Sequence, residues 1–166
     1  MIKPLLASIL FLVAIPGAAA AGVHPAGVEQ RLAFIVNDWT IAGAEATYRD
    51  DCRWFDNRSF VVCDTRDARK GSAHRSIAVL GWSAAAGNYT YQQYDDSGRG
   101  RTEGCFANDK AGLTCLGERR GSDGLTQTRT YIGPARGGLA LRQVKSVNAG
   151  PWTEVGRVSY IPRKRP

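Results

Sequence analysis

Two cysteines bracket residues 52–63, which read CRWFDNRSFVVC, and this stretch constrains the fold more than any other. If Asn57 and Arg58 form a two-residue loop, the facing pairs run 56/59, 55/60, 54/61 and 53/62, and Cys52 lies directly opposite Cys63. Facing positions on neighbouring antiparallel strands have the separation that a disulfide spans. The stretch therefore predicts a β-hairpin closed by its own disulfide.

Both faces of this predicted hairpin carry apolar side chains. One face has Cys52, Trp54, Val61 and Cys63, and the other has Phe55, Phe60 and Val62. Because both faces then need cover, we expect the hairpin to lie inside a larger sheet.

The remaining cysteines, Cys105 and Cys115, bracket a second turn-rich segment at residues 108–112. Four cysteines allow three pairings, and the similar local separations favour 52 with 63 and 105 with 115. Zinc is the competing use of cysteine. No Cys-x-x-Cys spacing occurs, and His24 and His74 are the only histidines in the sequence, so we expect no bound metal.

Residues 1–21 have the pattern of a secretory signal peptide. An apolar run from Leu5 to Ile15 precedes a string of alanines, and these small residues suit cleavage near Ala20 or Ala21. The run is short for a membrane-spanning helix. We therefore expect a periplasmic or secreted protein, which agrees with its even number of cysteines.

About 145 residues remain after such a leader, enough for one domain with a proper core. They hold 21 Lys and Arg residues against 15 Asp and Glu residues, which gives a net charge of +6. The basic residues are spread over most segments, apart from a short tail at residues 163–166. We expect no nucleic-acid partner, at most weak contact with an anionic envelope surface, and a monomer.

The rest of the chain predicts one short helix followed by strands. Val28, Leu32 and Ile35 have helical spacing, which places an amphipathic helix within residues 22–38. Residues 39–162 predict nine or ten short strands separated by Gly, Asn, Asp and Pro, with a strand at 40–48 and a polar loop at 65–73. Without helical crossovers these strands form an antiparallel up-and-down barrel, whose closure removes exposed edges; a β-sandwich is the alternative.

Several motifs follow one another in a distinctive order. They are Trp39 after a short helix, the Cys-x-Trp-Phe hairpin, Leu80-Gly-Trp82 followed by Gly87-Asn-Tyr89-x-Tyr91, Tyr94-Asp-Asp-Ser-Gly98, and Gly150-Pro-Trp152. As an ordered set, covering about residues 32–162, they resemble the DUF1579 proteins, which are lipocalin-like bacterial barrels of the broad calycin group. The resemblance implies the barrel fold more than it implies an activity.

A small barrel of this kind can hold one modest ligand in its interior. The aromatic residues on strands are candidates for the lining: Trp39, Trp82, Tyr91, Tyr131 and Trp152. Ordinary core packing is the alternative for each of them, and Trp39 in particular suits a plug at the barrel floor.

Three arginines occupy the middle of late strands. If residue 144 lies opposite residue 155, Arg142 faces Arg157, and such like charges destabilise a strand pair unless an anion lies between them. The alternative is that these arginines point to solvent. The predicted ligand-binding set is Trp39, Trp82, Tyr91, Arg129, Tyr131, Arg142 and Arg157.

The sequence predicts neither an enzyme nor a cofactor. No Ser or Cys lies in a nucleophile elbow, and His74, the candidate haem ligand, lies in or beside a polar loop. The acidic doublets at 50–51 and 95–96 are predicted in turns, where Asp supports its own backbone. We expect an exported barrel that binds a small hydrophobic, amphipathic or anionic molecule; the alternative is a cell-envelope interaction or inhibitor module with a filled barrel.

Overall fold

The computed structural model describes residues 26–55 and 58–164. The predicted signal peptide, residue 56 of the predicted pair 56/59 and the loop residue Asn57 lie outside the described residues, as do the last two residues of the basic tail. Among the described residues, no helix is long and apolar enough to cross a membrane.

The described chain forms one short helix, a 3₁₀ turn and ten strands. Their bounds are α1 Val28–Leu32, the 3₁₀ turn Ala33–Ile35, β1 Asn37–Ile41, β2 Tyr48–Phe55, β3 Phe60–Asp67, β4 His74–Ser83, β5 Asn88–Asp95, β6 Gly100–Ala107, β7 Leu113–Gly121, β8 Gly124–Ala135, β9 Gly138–Val147 and β10 Thr153–Pro162. Successive strands pair antiparallel, and β1 pairs with β10 to close the sheet. The predicted up-and-down barrel is confirmed, and the sandwich is excluded.

The short N-terminal helix, Val28–Leu32 with the 3₁₀ turn Ala33–Ile35, lies within the predicted range of residues 22–38, of which 22–25 are outside the described residues. Val28, Leu32 and Ile35 are buried, as their helical spacing indicated. The helical backbone nevertheless ends at Ile35, and β1 begins at Asn37. The reason is tertiary, because β1 must pair with both β2 and β10 for the barrel to close.

The first strand boundaries also differ from those predicted. The segment from Thr40 to Tyr48 contains a turn, in which the Ala44 amide donates to the Ile41 carbonyl at 2.9 Å. Conversely, β3 continues through Asp67 into the predicted polar loop. In both cases the pairing of β2 with β3 decides where the strands begin and end.

Both predicted disulfides are present. Cys52 lies opposite Cys63 in the register of β2 and β3, and the pairs 53/62, 54/61 and 55/60 follow as predicted. Cys105 and Cys115 join β6 to β7 in the same way. Each bond therefore links facing positions of one hairpin.

The expectation that both faces of the first hairpin are covered is wrong. Val61 on the inner face is fully buried, whereas Phe55 on the outer face is 60% exposed. A single closed sheet has one interior, so each strand turns only its inner side chains to the core.

One end of the barrel is closed by α1 and a hydrophobic core. Val28 and Leu32 of α1 belong to the same buried cluster as Trp39 and Val61. The Trp39 indole nitrogen donates to the carbonyl oxygen of Ile35 at 2.7 Å, which satisfies its one polar atom. The structure thus places Trp39 at the barrel floor.

Candidate functional site

The barrel encloses a cavity of about 220 Å³. This volume equals that of about seven molecules of liquid water, and it lies below the roughly 300 Å³ at which pockets for drug-sized ligands begin. The apolar part of its wall comes mainly from β1, β4 and β8–β10, through Ile41, Ala78, Leu80, Ile132, Leu141 and Val158. The space suits a small molecule with an apolar part.

The opposite wall of the cavity is polar and begins on β2. Side chains alternate between the two faces of a strand, so Tyr48 and Asp50 share the inner face with Cys52. Thr65 lies directly opposite Asp50 on β3, and its hydroxyl donates to Asp50 Oδ1 at 2.9 Å. A carboxyl group therefore lines the cavity beside the Cys52–Cys63 disulfide.

This placement corrects the prediction that the doublet 50–51 lies in a turn. Both residues are in the middle of β2. Asp51 points to the outer face, where its carboxylate pairs with Arg49 and Arg53. The turn prediction does hold for Asp95, whose Oδ1 accepts from the backbone amides of Ser97 and Arg99 at 3.0 and 3.1 Å.

Three tyrosines face the same cavity as Asp50. The ring centroids of Tyr48 and Tyr160 are 5.8 Å apart, and Tyr91 reaches in from β5. Burial, reinforced by the nearby Asp50 carboxylate, raises the pKa of all three hydroxyls, that of Tyr160 to about 12. They remain protonated at neutral pH and can donate hydrogen bonds.

Burial also raises the pKa of Asp50, to about 6, against the opposing hydrogen bond from Thr65. In the part of the chain that the structure describes, no cationic side chain forms an ion pair with this carboxylate. Asp50 is therefore ionised at neutral pH in surroundings that disfavour its charge.

Two guanidiniums also border the cavity, and each already has a carboxylate partner. Arg69 lies 2.7 Å from Asp67, whose pKa it lowers through the hydrogen bond between them. Arg101 lies 3.4 Å from Glu103 and donates to the Tyr91 hydroxyl at 3.3 Å. Within each pair the positive and negative charges balance. Among the described residues that line the cavity, Asp50 is then the carboxylate without an ion-pair partner.

Glu103 is a second buried acidic residue near the cavity, and its side chain is 4% exposed. Burial raises the pKa of its carboxyl group, and Arg101 opposes this rise. Among the described residues its Oε2 has no hydrogen-bond partner. The absence of a side chain at Gly117 makes room for it, since a Cβ there would lie 3.1 Å from Glu103 Cγ.

The mouth of the barrel is a second hollow, of about 460 Å³, between residues 71–74 and 95–101. His74, Gln93 and Arg101 line both this hollow and the cavity, so the two are continuous. His74 is partly exposed, and its Nδ1 lies 2.7 Å from the Ser72 carbonyl. A ligand therefore has a polar path from solvent into the apolar interior.

Potential metal ligands in the described chain come together at Asp50, Cys52 and Cys63, whose ligand atoms lie within 4.8 Å of one another. The two sulfur atoms are bonded to each other and offer no thiolate to a metal. This cluster does not fit a metal site while the disulfide is intact.

The seven predicted ligand-binding residues lie in three different places. Tyr91 lines the cavity. Trp39 and Trp82 pack at the closed end, where the ring of Trp82 meets Tyr89 edge-on at 5.2 Å. The structure thus favours core packing for the two tryptophans.

The other four predicted residues lie on the outer wall. Arg142 faces Arg157 as predicted, although residue 144 pairs with Glu154 and a bulge at Val155 restores the expected register. The possibility that these arginines point into the barrel is wrong. Leu141 and Val158 face the cavity, and because side chains alternate along a strand, the adjacent Arg142 and Arg157 must face outward.

The facing arginines have an anion between them, and it comes from the chain itself. Glu154 Oε2 lies 2.8 Å from the Nε of Arg142 and 2.9 Å from Nη2 of Arg157. These two hydrogen bonds lower the pKa of Glu154 to about 2. The repulsion that suggested a bound anion is therefore relieved internally.

Tyr131, Arg142 and Arg157 border an open groove of about 610 Å³ on the outer wall, together with residues 108–110. Arg142 lies over the Tyr131 ring at 5.6 Å, and Arg129 lies over the exposed ring of Trp152 at 4.2 Å. The structure thus brings these predicted residues together on the outside of the barrel.

Apart from Tyr91, the sequence prediction missed the main polar residues of the cavity: Tyr48, Asp50, Asp67, Arg69, Arg101 and Tyr160. A usable signal was present for β2. Once Cys52 is assigned to the inner face, period-two alternation also turns Asp50 and Tyr48 inward.

These features define a small antiparallel β-barrel, closed at one end, with a two-sided internal cavity. A scan against protein-family models and a search of curated proteins both find no match for this chain. The barrel that the resemblance to DUF1579 implied is confirmed, and membership of that family stays a prediction. The two disulfides indicate an oxidising, extracytoplasmic location.

Proposed function

We propose that this protein binds one small amphipathic molecule inside its barrel. The observation that carries the proposal is the division of the cavity into an apolar wall and a polar wall. The apolar wall includes Leu141 and Val158, and the polar wall includes Asp50, Tyr91 and Gln93. Pockets that combine an apolar lining with a few fixed polar groups are typical ligand sites.

The size of the cavity limits the ligand to a compact molecule. Its apolar part would contact Ala78, Leu80 and Leu141, and its polar part would face β2 and the mouth. The path of entry passes His74 and Arg101, whose side chains are partly exposed at the mouth. The proposal is for binding without chemical turnover.

The test uses phenethyl alcohol, a neutral compact amphiphile, measured by isothermal titration calorimetry and saturation-transfer NMR. Ala78 is buried against the cavity, so Ala78→Phe fills the space that the ligand needs. We expect this change to weaken binding by about tenfold or more. Val158→Phe fills the same space from β10 and should act in the same direction.

Val79→Phe is the matched control, because residue 79 lies next to Ala78 on β4 and faces the other side of the sheet. We expect it to bind like the wild-type protein. Equal binding by a folded Ala78→Phe variant would show that the probe does not occupy the cavity, and the proposal would then be wrong.

The alternative function is that of a cell-envelope interaction module. Large apolar side chains on the outer wall favour it: Phe55, Ile77, Tyr94, Phe106 and Leu116 are each more than two-fifths exposed. Under this alternative the function resides on the outer face, so Ala78→Phe would leave it intact and substitutions of the exposed residues would remove it.

A further inference from the structure

The charges around the cavity do not cancel. Arg69 pairs with Asp67 at 2.7 Å, and Arg101 lies 3.4 Å from Glu103. His74, which also lines the cavity, lies 3.9 Å from Asp67. Among the described residues these contacts leave the Asp50 carboxylate without an ion-pair partner on the polar wall. A ligand that brings a positive charge would complete the balance.

Asp50 also has unused hydrogen-bonding capacity. A carboxylate offers about four lone-pair positions. In the described residues its hydrogen-bond donor is the Thr65 hydroxyl, at 2.9 Å from Oδ1. The remaining positions lie at the cavity, where a ligand that donates hydrogen bonds would satisfy them.

The tyrosines beside Asp50 provide surfaces that attract cations. The guanidinium of Arg69 lies 5.3 Å from the ring centroid of Tyr48, and that of Arg101 lies 5.0 Å from the ring centroid of Tyr91. Two of these rings thus already interact with cations of the chain itself. The electron-rich face of an aromatic ring attracts a cation.

We propose that the cavity selects ligands that carry a protonated amine, held by the Asp50 carboxylate beside the rings of Tyr48, Tyr91 and Tyr160. This inference rests on the proposed function, since it names the chemical class of the same ligand. The ammonium group donates charge-assisted hydrogen bonds to Asp50, while the apolar part of the ligand contacts Leu141 and its neighbours.

A carboxylate ligand fits this arrangement less well. It would meet the negative charge of Asp50, and the guanidiniums of Arg69 and Arg101 already have carboxylate partners. An alcohol could donate a hydrogen bond to Asp50 but would leave its charge unbalanced. The order of affinity expected for one molecular skeleton is therefore amine, alcohol, carboxylate.

The test compares phenethylamine, phenethyl alcohol and phenylacetate by titration calorimetry at neutral pH, first with the wild-type protein. We expect the affinity for phenethylamine to be higher than that for phenethyl alcohol by about tenfold or more. Phenylacetate should bind most weakly. This comparison does not depend on whether any variant folds.

Asp50→Asn then isolates the charge of the carboxylate. We expect it to reduce the affinity for phenethylamine by about tenfold and to change that for phenethyl alcohol by less than about threefold. Asp51→Asn is the matched control, because Asp51 is the adjacent residue but pairs with Arg49 and Arg53 on the outer face. Its affinities should equal those of the wild-type protein.

The possible failures are distinguishable. If the wild-type protein binds the alcohol or phenylacetate as tightly as the amine, the preference for amines is wrong and the proposed function stands. If Asp50→Asn weakens the binding of the alcohol and the amine equally, Asp50 does not hold the ammonium group, and the inference is wrong while the proposed function stands. If none of the three probes binds the wild-type protein, the inference and the proposed function both fail.

Discussion

At the scale of single residues, Asp50 lies in surroundings that disfavour the charge of its carboxylate. Its carboxyl group faces Tyr48, Tyr91 and Tyr160, with Thr65 as hydrogen-bond donor. Burial raises its pKa from the ordinary value of 3.8 to about 6. A carboxyl group whose surroundings disfavour its charged form reduces the stability of the folded protein at neutral pH. Such groups are frequent at binding sites.

Asp50 should make the stability of the protein depend on pH in a specific direction. Because its pKa is higher in the folded state, Asp50 stabilises the fold below pH 3.8, and this contribution is lost as the pH rises through about 6. We therefore expect Asp50→Asn to be more stable than the wild-type protein at neutral pH, by on the order of 1–3 kcal/mol. The difference should shrink as the pH falls towards about 4.

Urea denaturation of both proteins across this pH range measures that difference. The acidic groups near Asp50 are Asp38, Asp51 and Asp64, and the three tyrosines do not titrate in this range. These groups are present in both proteins, so their own titration largely cancels in the comparison. Stability curves that run parallel from acid to neutral pH would show that the pKa of Asp50 is not raised.

At the scale of elements, the unit of this fold is the two-stranded hairpin, and two hairpins carry a disulfide. The disulfides close loops of similar length, with sequence separations of 11 and 10 residues. They differ in position: Cys105 and Cys115 are fully buried, whereas the Cys52–Cys63 bond lines the cavity.

Removal of either disulfide should destabilise the protein by a similar amount. Loops of this length lead us to expect a loss of about 3 kcal/mol each for the double variants Cys52→Ala/Cys63→Ala and Cys105→Ala/Cys115→Ala. Chemical denaturation without reductant measures both values. Because only the first bond lines the cavity, phenethyl alcohol binding should change in the first variant and remain in the second. The opposite pattern would contradict the position assigned to the cavity.

The same elements show why some of the structure could be predicted from the sequence. Alternating apolar residues, a turn and two cysteines together specify the register of β2 and β3, because a one-residue slip would separate Cys52 from Cys63. The pairing of Arg142 with Arg157 was predictable from spacing. The bulge at Val155 was not predicted, although Gly156 directly follows it and a glycine inside a strand often marks a bulge.

At the scale of the whole molecule, the two ends of the barrel have different roles. The closed end holds α1, Trp39 and the main hydrophobic core. The open end holds the polar mouth at His74 and Arg101. The cavity lies between these two ends and shares Leu80, Ile132 and Leu139 with the hydrophobic core, so its apolar wall is also part of the core.

The way in which the cavity is assembled explains why the site was harder to predict than the fold. The alternation of strands and turns along the sequence predicts a closed sheet, whereas the cavity takes one to three residues from each of nine strands. Arg101 and Asp50, for example, lie on β6 and β2 and carry no shared motif. Only barrel closure brings such residues to one interior.

Native mass spectrometry tests the central claim, that the interior holds a small molecule, most directly. The protein should be exported by its own cells and purified without reductant, as wild type and as the Ala78→Phe and Val79→Phe variants. We expect the wild-type and Val79→Phe proteins to carry an added small mass that is released on denaturation, and Ala78→Phe to lack it. If wild-type protein shows only the mass of the disulfide-bonded polypeptide, that result would contradict the account.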